Sequence, residues 1–151
     1  MVKIEIPTEL EIEKIEPLVD ELVVSHPELP WVDDYREVYK KVSLAFLSEQ
    51  DKAIFIAKKE EETVGVVMGS ITDNGPLQGN KKIGLINIVI VLPSYRRKGI
   101  GKQLCKDIME WFSEQKIEEV TLFNTVEDRL AQTFWESCGF EIFLEQRRKR
   151  I

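Results

Sequence analysis

The longest apolar run of the chain, Ile83–Leu92, is stopped by Pro93 and followed closely by Gly99 and Gly101. Directly beyond, Gly101, Leu104, Cys105, Ile108, Trp111 and Phe112 recur at helical spacing. The run is about half a membrane span, and Gly84 and Asn87 interrupt it, so it reads as a buried strand and not a transmembrane helix. A strand Leu85–Val91 that enters an amphipathic helix through a glycine turn is the expected centre of the fold. Arg96, Arg97 and Lys98 crowd that turn, although 21 basic against 27 acidic residues give the chain a formal charge of −6. Net acidity argues against a general nucleic-acid binder, so the local positive charge needs its own explanation.

The flanking sequence alternates elements without linker or repeat, and its 151 residues suit a single domain, 1–151. Lys3–Ile6 predicts a short strand. Thr8 with Glu11 predicts a capping box before a helix marked by Ile12, Ile15, Leu18, Val19, Leu22 and Val23, and Pro17 either kinks that helix or marks its first turn. A loop from Ser25 to Pro30 precedes a second helix carrying Val38, Val42, Phe46 and Leu47. Ala53–Ala57 and Val64–Ile71 predict a hairpin about the charged turn Lys59–Glu62. Val120–Phe123 predicts another strand, and Thr125 with Asp128 a second capping box before a helix stopped by Gly139. Phe140–Leu144 predicts a last strand. The sum is an α+β fold: a mixed, mostly antiparallel sheet flanked by four helices in three layers. Met1-Val2-Lys3 leads straight into charged sequence with no secretory signal, which predicts a cytoplasmic protein. Cys105 and Cys138 suggest neither a disulfide framework nor a metal site.

A helix start leaves backbone N–H groups unpaired, and with the positive end of the helix dipole they attract an anion. Gly99 and Gly101 let a ligand approach without a Cβ in the way, and the three cations beside them favour phosphate. A mononucleotide P-loop is excluded, because Arg96 stands at its first glycine and Gln103 at its Ser/Thr. A dinucleotide fingerprint is excluded by Leu104 at its third glycine.

The segment Val91-x-Pro93-x-x-Arg96-Arg97-x-Gly99-Ile100-Gly101 resembles the pyrophosphate-binding signature of the Gcn5-related N-acetyltransferases, and Ala131–Phe140 resembles that family's second motif, Ala-x-x-x-Tyr-Glu-x-x-Gly-Phe. The resemblance implies acetyl-CoA as acyl donor. Val89 and Val91 would pair with its pantetheine arm, and Arg96, Arg97, Lys98, Gly99, Ile100, Gly101 and Lys102 would hold its pyrophosphate. Asp128 stands where the family often has an Asn beside that arm. The implied activity is direct transfer of acetyl to a primary amine; the alternative is an acyl-CoA-binding module of the same fold without turnover.

The catalytic positions depart from the pattern. Trp135 stands where the family often has a Tyr that protonates the leaving thiolate, and an indole N–H is a donor only. Asn87 is the nearest match to the usual acidic base and cannot take a proton. The family admits its acceptor between the first two helices, where this chain has His26, Trp31, Asp33 and Asp34. Aromatic and acidic groups together suit a cationic amine, and the same residues also suit an ordinary helix start with Asp34 as cap. The expected partners are thus a small-molecule or peptide amine and a second copy in a homodimer, with no nucleic acid, membrane or metal.

Overall fold

The computed structural model describes residues 1–151. Five strands run in the order β1 (Lys3–Glu5), β2 (Lys52–Lys59), β3 (Glu62–Asp73), β4 (Lys82–Val91) and β5 (Val120–Leu122). The first four are antiparallel neighbours and β5 joins β4 in parallel, so the sheet is mixed and mostly antiparallel as expected. Four α-helices accompany it: α1 (Glu16–Ser25), α2 (Tyr35–Ser48), α3 (Ile100–Glu114) and α4 (Arg129–Ser137). No helix is long and apolar enough to cross a membrane.

Alternation along the strands builds two cores. Ile54, Ile56, Val66, Met68 and Ile90 meet Leu18 and Val19 of α1 and Phe46 of α2 on one face. Ala53, Ala57, Val67 and Ile86 meet Leu104, Ile108 and Phe112 of α3 on the other. The α3 layer lies close because the sheet offers glycine beneath it. A Cβ on Gly84 would stand 2.7 Å from the Phe112 ring, and one on Gly69 2.8 Å from Ile108.

The local signals hold in part. Thr8 and Glu11 form the reciprocal capping box, but it opens a 3-10 turn, Glu9–Ile15, and α1 proper starts with Pro17 in its first turn. The second helix is where its pattern predicts, yet Val38 and Val42 are 43% and 41% exposed while Ser43 is buried, so its inward face is rotated. The hairpin closes at Glu60, whose φ is 55°.

Two expectations fail. Thr125 does not cap α4: its hydroxyl is buried without a partner, and Asp128 is the N-cap, accepting from the Ala131 N–H at 3.0 Å. Phe140–Leu144 forms no strand. Ile142, Phe143 and Leu144 are 87%, 73% and 78% exposed, and β5, only 3 residues long, offers no edge they pair with.

Candidate active site

The site begins with a fault in the sheet. Gly69 pairs with Ile86 and Met68 with Ile88, which leaves Asn87 with no opposite residue: a β-bulge. On the other side β5 pairs only with Gly84, Leu85 and Ile86. So β4 loses its outer neighbour at the residue where it bulges, and from Asn87 to Val91 no strand covers that edge. The expected fully buried strand is thereby half open: Asn87 is exposed, and Val89 and Val91 are partly so. The Asn87 amide oxygen accepts from the Ser70 hydroxyl at 2.8 Å.

At the end of that open edge stands the basic turn. Arg97 and Gly99 both take left-handed backbone, with φ of 62° and 81°. That conformation is costly for a side chain such as Arg and aims successive N–H groups into a common concavity. The N–H groups of Arg97, Lys98, Gly99, Ile100, Gly101 and Lys102 donate to no acceptor within the protein. They converge at the start of a 15-residue helix, the arrangement that receives a phosphate.

The three cations take different posts. Arg96 is not free: its Nε donates to the Val91 carbonyl at 2.9 Å and its guanidinium pairs with Glu21 of α1 at 3.2 Å. Lys98 lies over the Tyr95 ring, 5.6 Å from its centroid. Arg97 and Lys102 are exposed and make no ion pair, which leaves them for a ligand. Gly101 has a second duty, since a Cβ there would stand 3.1 Å from the Phe134 ring of α4.

Helix α4 buries no residue fully. Its Trp135 stacks edge-on with Phe134 and Phe140, at 4.8 and 5.4 Å, and its indole N–H makes no hydrogen bond. Trp135 is therefore held in place by aromatic packing. At the other end Asp128 meets His26, with Nε2 3.1 Å from Oδ2, and Trp31 donates its indole N–H to the His26 carbonyl at 2.7 Å. The fold thus brings the loop after α1 to the start of α4. Asp33 and Asp34 are exposed, and Asp34 is the N-cap of α2 without a side-chain cap bond. The one arginine of that segment, Arg36, turns away to Asp20 at 2.8 Å, and its guanidinium holds the Asp20 carboxyl below the usual range. Glu28, Asp33, Asp34 and Glu37 remain without an ion pair.

Three links join these places: Arg96 ties the turn to α1 through Glu21, Gly101 lies against Phe134 of α4, and His26 ties the loop after α1 to the start of α4. Ser70 and Glu21 escaped the sequence reading, since nothing local marks a residue that acts by contacting a distant one. No group of three or more His, Cys, Asp or Glu could hold a metal.

Residues 16–140 match the model of the Acetyltransferase (GNAT) family. The chain is 28% identical over 100 residues to N-acetyltransferase 8 of Homo sapiens, a match that takes in 66% of this chain and 43% of that protein. It is 27% identical over 92 residues to aminoglycoside N(6')-acetyltransferase type 1 of Salmonella typhimurium, covering 59% of this chain and 62% of that one. The chain thus spans less than two thirds of either relative. The solved structure of the aminoglycoside N-acetyltransferase AAC(6')-Iy in complex with CoA superposes with a TM-score of 0.79 at 21% identity, covering 100% of this chain and 96% of that one.

Proposed function

Because the chain belongs to the GNAT acetyltransferase family, we propose that it moves the acetyl group of acetyl-CoA directly to a primary amine of a cationic acceptor. The observation that carries this reading is the run of unpaired N–H groups from Arg97 to Lys102, two of its residues in left-handed backbone, at the end of an uncovered strand edge. These donors and the Arg97 guanidinium would hold the pyrophosphate. The β4 backbone at Val89 and Val91 would align the pantetheine arm beside them, with Asp128 near it.

Acetyl-CoA supplies an activated thioester; the amine lone pair forms the C–N bond as the C–S bond breaks. The protein's part is to position the two and to polarise the carbonyl through strand N–H groups. A Lys-like amine, with a pKa of about 10.4, must lose a proton before it attacks. Neither Asn87, held by Ser70, nor the packed Trp135 takes or gives that proton. Water serves that route, and Asn87 holds a water or the acceptor's amide. The acidic loop and the aminoglycoside acetyltransferases among the relatives favour an acceptor with several amines, such as a polyamine or aminoglycoside-like sugar.

Release of free CoA thiol over a panel of such amines tests the reaction. Turnover with any of them supports it; binding of acetyl-CoA without turnover across the panel favours the acyl-CoA-binding module. Gly99→Val tests the site, because nothing lies within 4 Å of the new Cβ while φ is 81°. A β-branched residue in that conformation costs more than about 1–2 kcal/mol, which the turn relieves by abandoning the N–H cluster. The folded variant should lose roughly tenfold or more in CoA affinity by calorimetry; unchanged affinity would remove the assignment of the turn.

A further inference from the structure

Beside the basic turn stands a carboxylate that an anion site would not by itself favour. Glu21 of α1 and Arg96 are 75 positions apart in the chain, yet the Glu21 Oε1 lies 3.2 Å from the Arg96 guanidinium. A negative charge next to a phosphate site costs Coulomb energy, the more so because the Glu21 side chain is only 24% exposed. Its place there is explained by what it holds.

The turn needs such a hold. The N–H groups of residues 97–102 donate to no acceptor within the protein, and Arg97 keeps left-handed backbone at a φ of 62°. A residue with a side chain stays in that region only where its surroundings fix it. Beyond Arg97, Gly99 takes its own positive φ without a Cβ to resist it. Before Arg97 the fixing comes from Arg96. Its Nε donates to the carbonyl of Val91, the last residue of β4, at 2.9 Å, and its Nη2 donates to Glu21. The guanidinium is planar, so two anchored nitrogens set the orientation of the whole fork. Glu21 is fixed in its turn, since the same Oε1 accepts from the Ser25 hydroxyl at 2.9 Å and α1 sinks Leu18 and Val19 into the core. Tyr95, just before Arg96, is braced separately by its hydroxyl, which donates to Glu62 at 2.7 Å.

We propose that Glu21 is a positioning residue for the anion turn: through Arg96 it ties the turn to α1 and to the end of β4, and so keeps the 97–102 N–H groups converged on the pyrophosphate. Arg96 is thereby a strut and not a ligand, in contrast to Arg97 and Lys102, which are exposed and make no ion pair. The proposal rests on the reading that this turn receives acetyl-CoA.

The sign of one substitution separates a strut from a ligand. If Arg96 served the pyrophosphate directly, Glu21→Ala would release it and remove a repelling charge, and CoA would bind more tightly. With Arg96 as a strut, Glu21→Ala lets the guanidinium and the turn drift, and CoA affinity by calorimetry should fall roughly tenfold. Glu21→Gln keeps an amide oxygen for Arg96 and Ser25, and should bind CoA at least as tightly as the wild type. Arg96→Lys keeps the charge but not the fork, so it should lose as much affinity as Arg96→Ala. The losses in Glu21→Ala and Arg96→Ala should not add in the double variant, because both remove one link. Inorganic pyrophosphate, which meets only the turn, should weaken in parallel with CoA. Unchanged or tighter CoA binding in a folded Glu21→Ala protein overturns the proposal, and so does a loss that Glu21→Gln shares. If Glu21→Ala does not fold, Arg96→Lys decides: wild-type affinity there overturns the strut. Absence of CoA binding to the wild type would instead count against the reading of the turn itself.

Discussion

The two cysteines show how burial decides chemistry at a single side chain. Cys105 sits on the inner face of α3, 5% exposed, beside Cys138 at the end of α4. Burial, and secondarily the neighbouring thiol, push the Cys105 thiol up to about 12. The thiolate is the nucleophile, so native Cys105 should be inert to iodoacetamide at pH 8 and react only on unfolding. Mass spectrometry of the tryptic peptides checks this, and labelling of the native protein would show that α3 opens there. The raised value also sets a sign. The folded state holds this proton more tightly than the unfolded chain, whose thiol titrates near 8.5. The stability it lends is complete below that pH and is lost as the pH climbs toward about 12. Other single residues were legible without a structure. The anion turn announced itself because its glycines and cations are adjacent in the chain. The His26–Asp128 contact was not legible, since no local pattern links residues that far apart in sequence.

Among the elements, α3 and the sheet behave as one unit, and the glycines of β3 and β4 set their spacing. Gly84 stands under Phe112, which is 1% exposed, and a Cβ there would lie 2.7 Å from the ring. Gly84→Ala should overpack this contact and destabilise the fold by about 1–3 kcal/mol, read as a lower urea midpoint at constant slope. If the midpoint does not move, the α3 layer is looser than its packing shows. Sequence patterning found α1, α2, α3 and the strands β2, β3 and β4, because each carries a run of residues that packs into a core. It missed what depends on a neighbour. The apolar pattern of Phe140–Leu144 describes what a strand looks like, but a strand also needs an edge, and β5 with 3 residues does not supply one. The bulge at Asn87 is equally a property of two strands, visible only in the register between β3 and β4.

At the scale of the whole molecule, unpaired charge of opposite sign gathers at two separate places. The turn offers Arg97 and Lys102 without an ion pair, while the loop leading into α2 and the first turn of α2 offer Glu28, Asp33, Asp34 and Glu37 with none either. The single arginine of that segment, Arg36 in the first turn of α2, is neutralised by Asp20, so the acidic field there is not cancelled from within. On the proposed function, the acidic loop would draw a cationic amine and the basic turn the anionic donor. Asp33 and Asp34 are exposed and bear no structural hydrogen bond as side chains, so replacing both by Asn leaves the fold intact. The double variant should raise the acceptor KM several-fold at low ionic strength, and the difference from wild type should shrink as salt screens the loop. Acetyl-CoA affinity should stay unchanged, because neither residue contributes to the 97–102 turn. An acceptor KM with the same value and the same salt slope in both proteins would reduce the acidic loop to a solvated helix start. A parallel loss of acetyl-CoA affinity would instead show that the loop and the turn do not act separately.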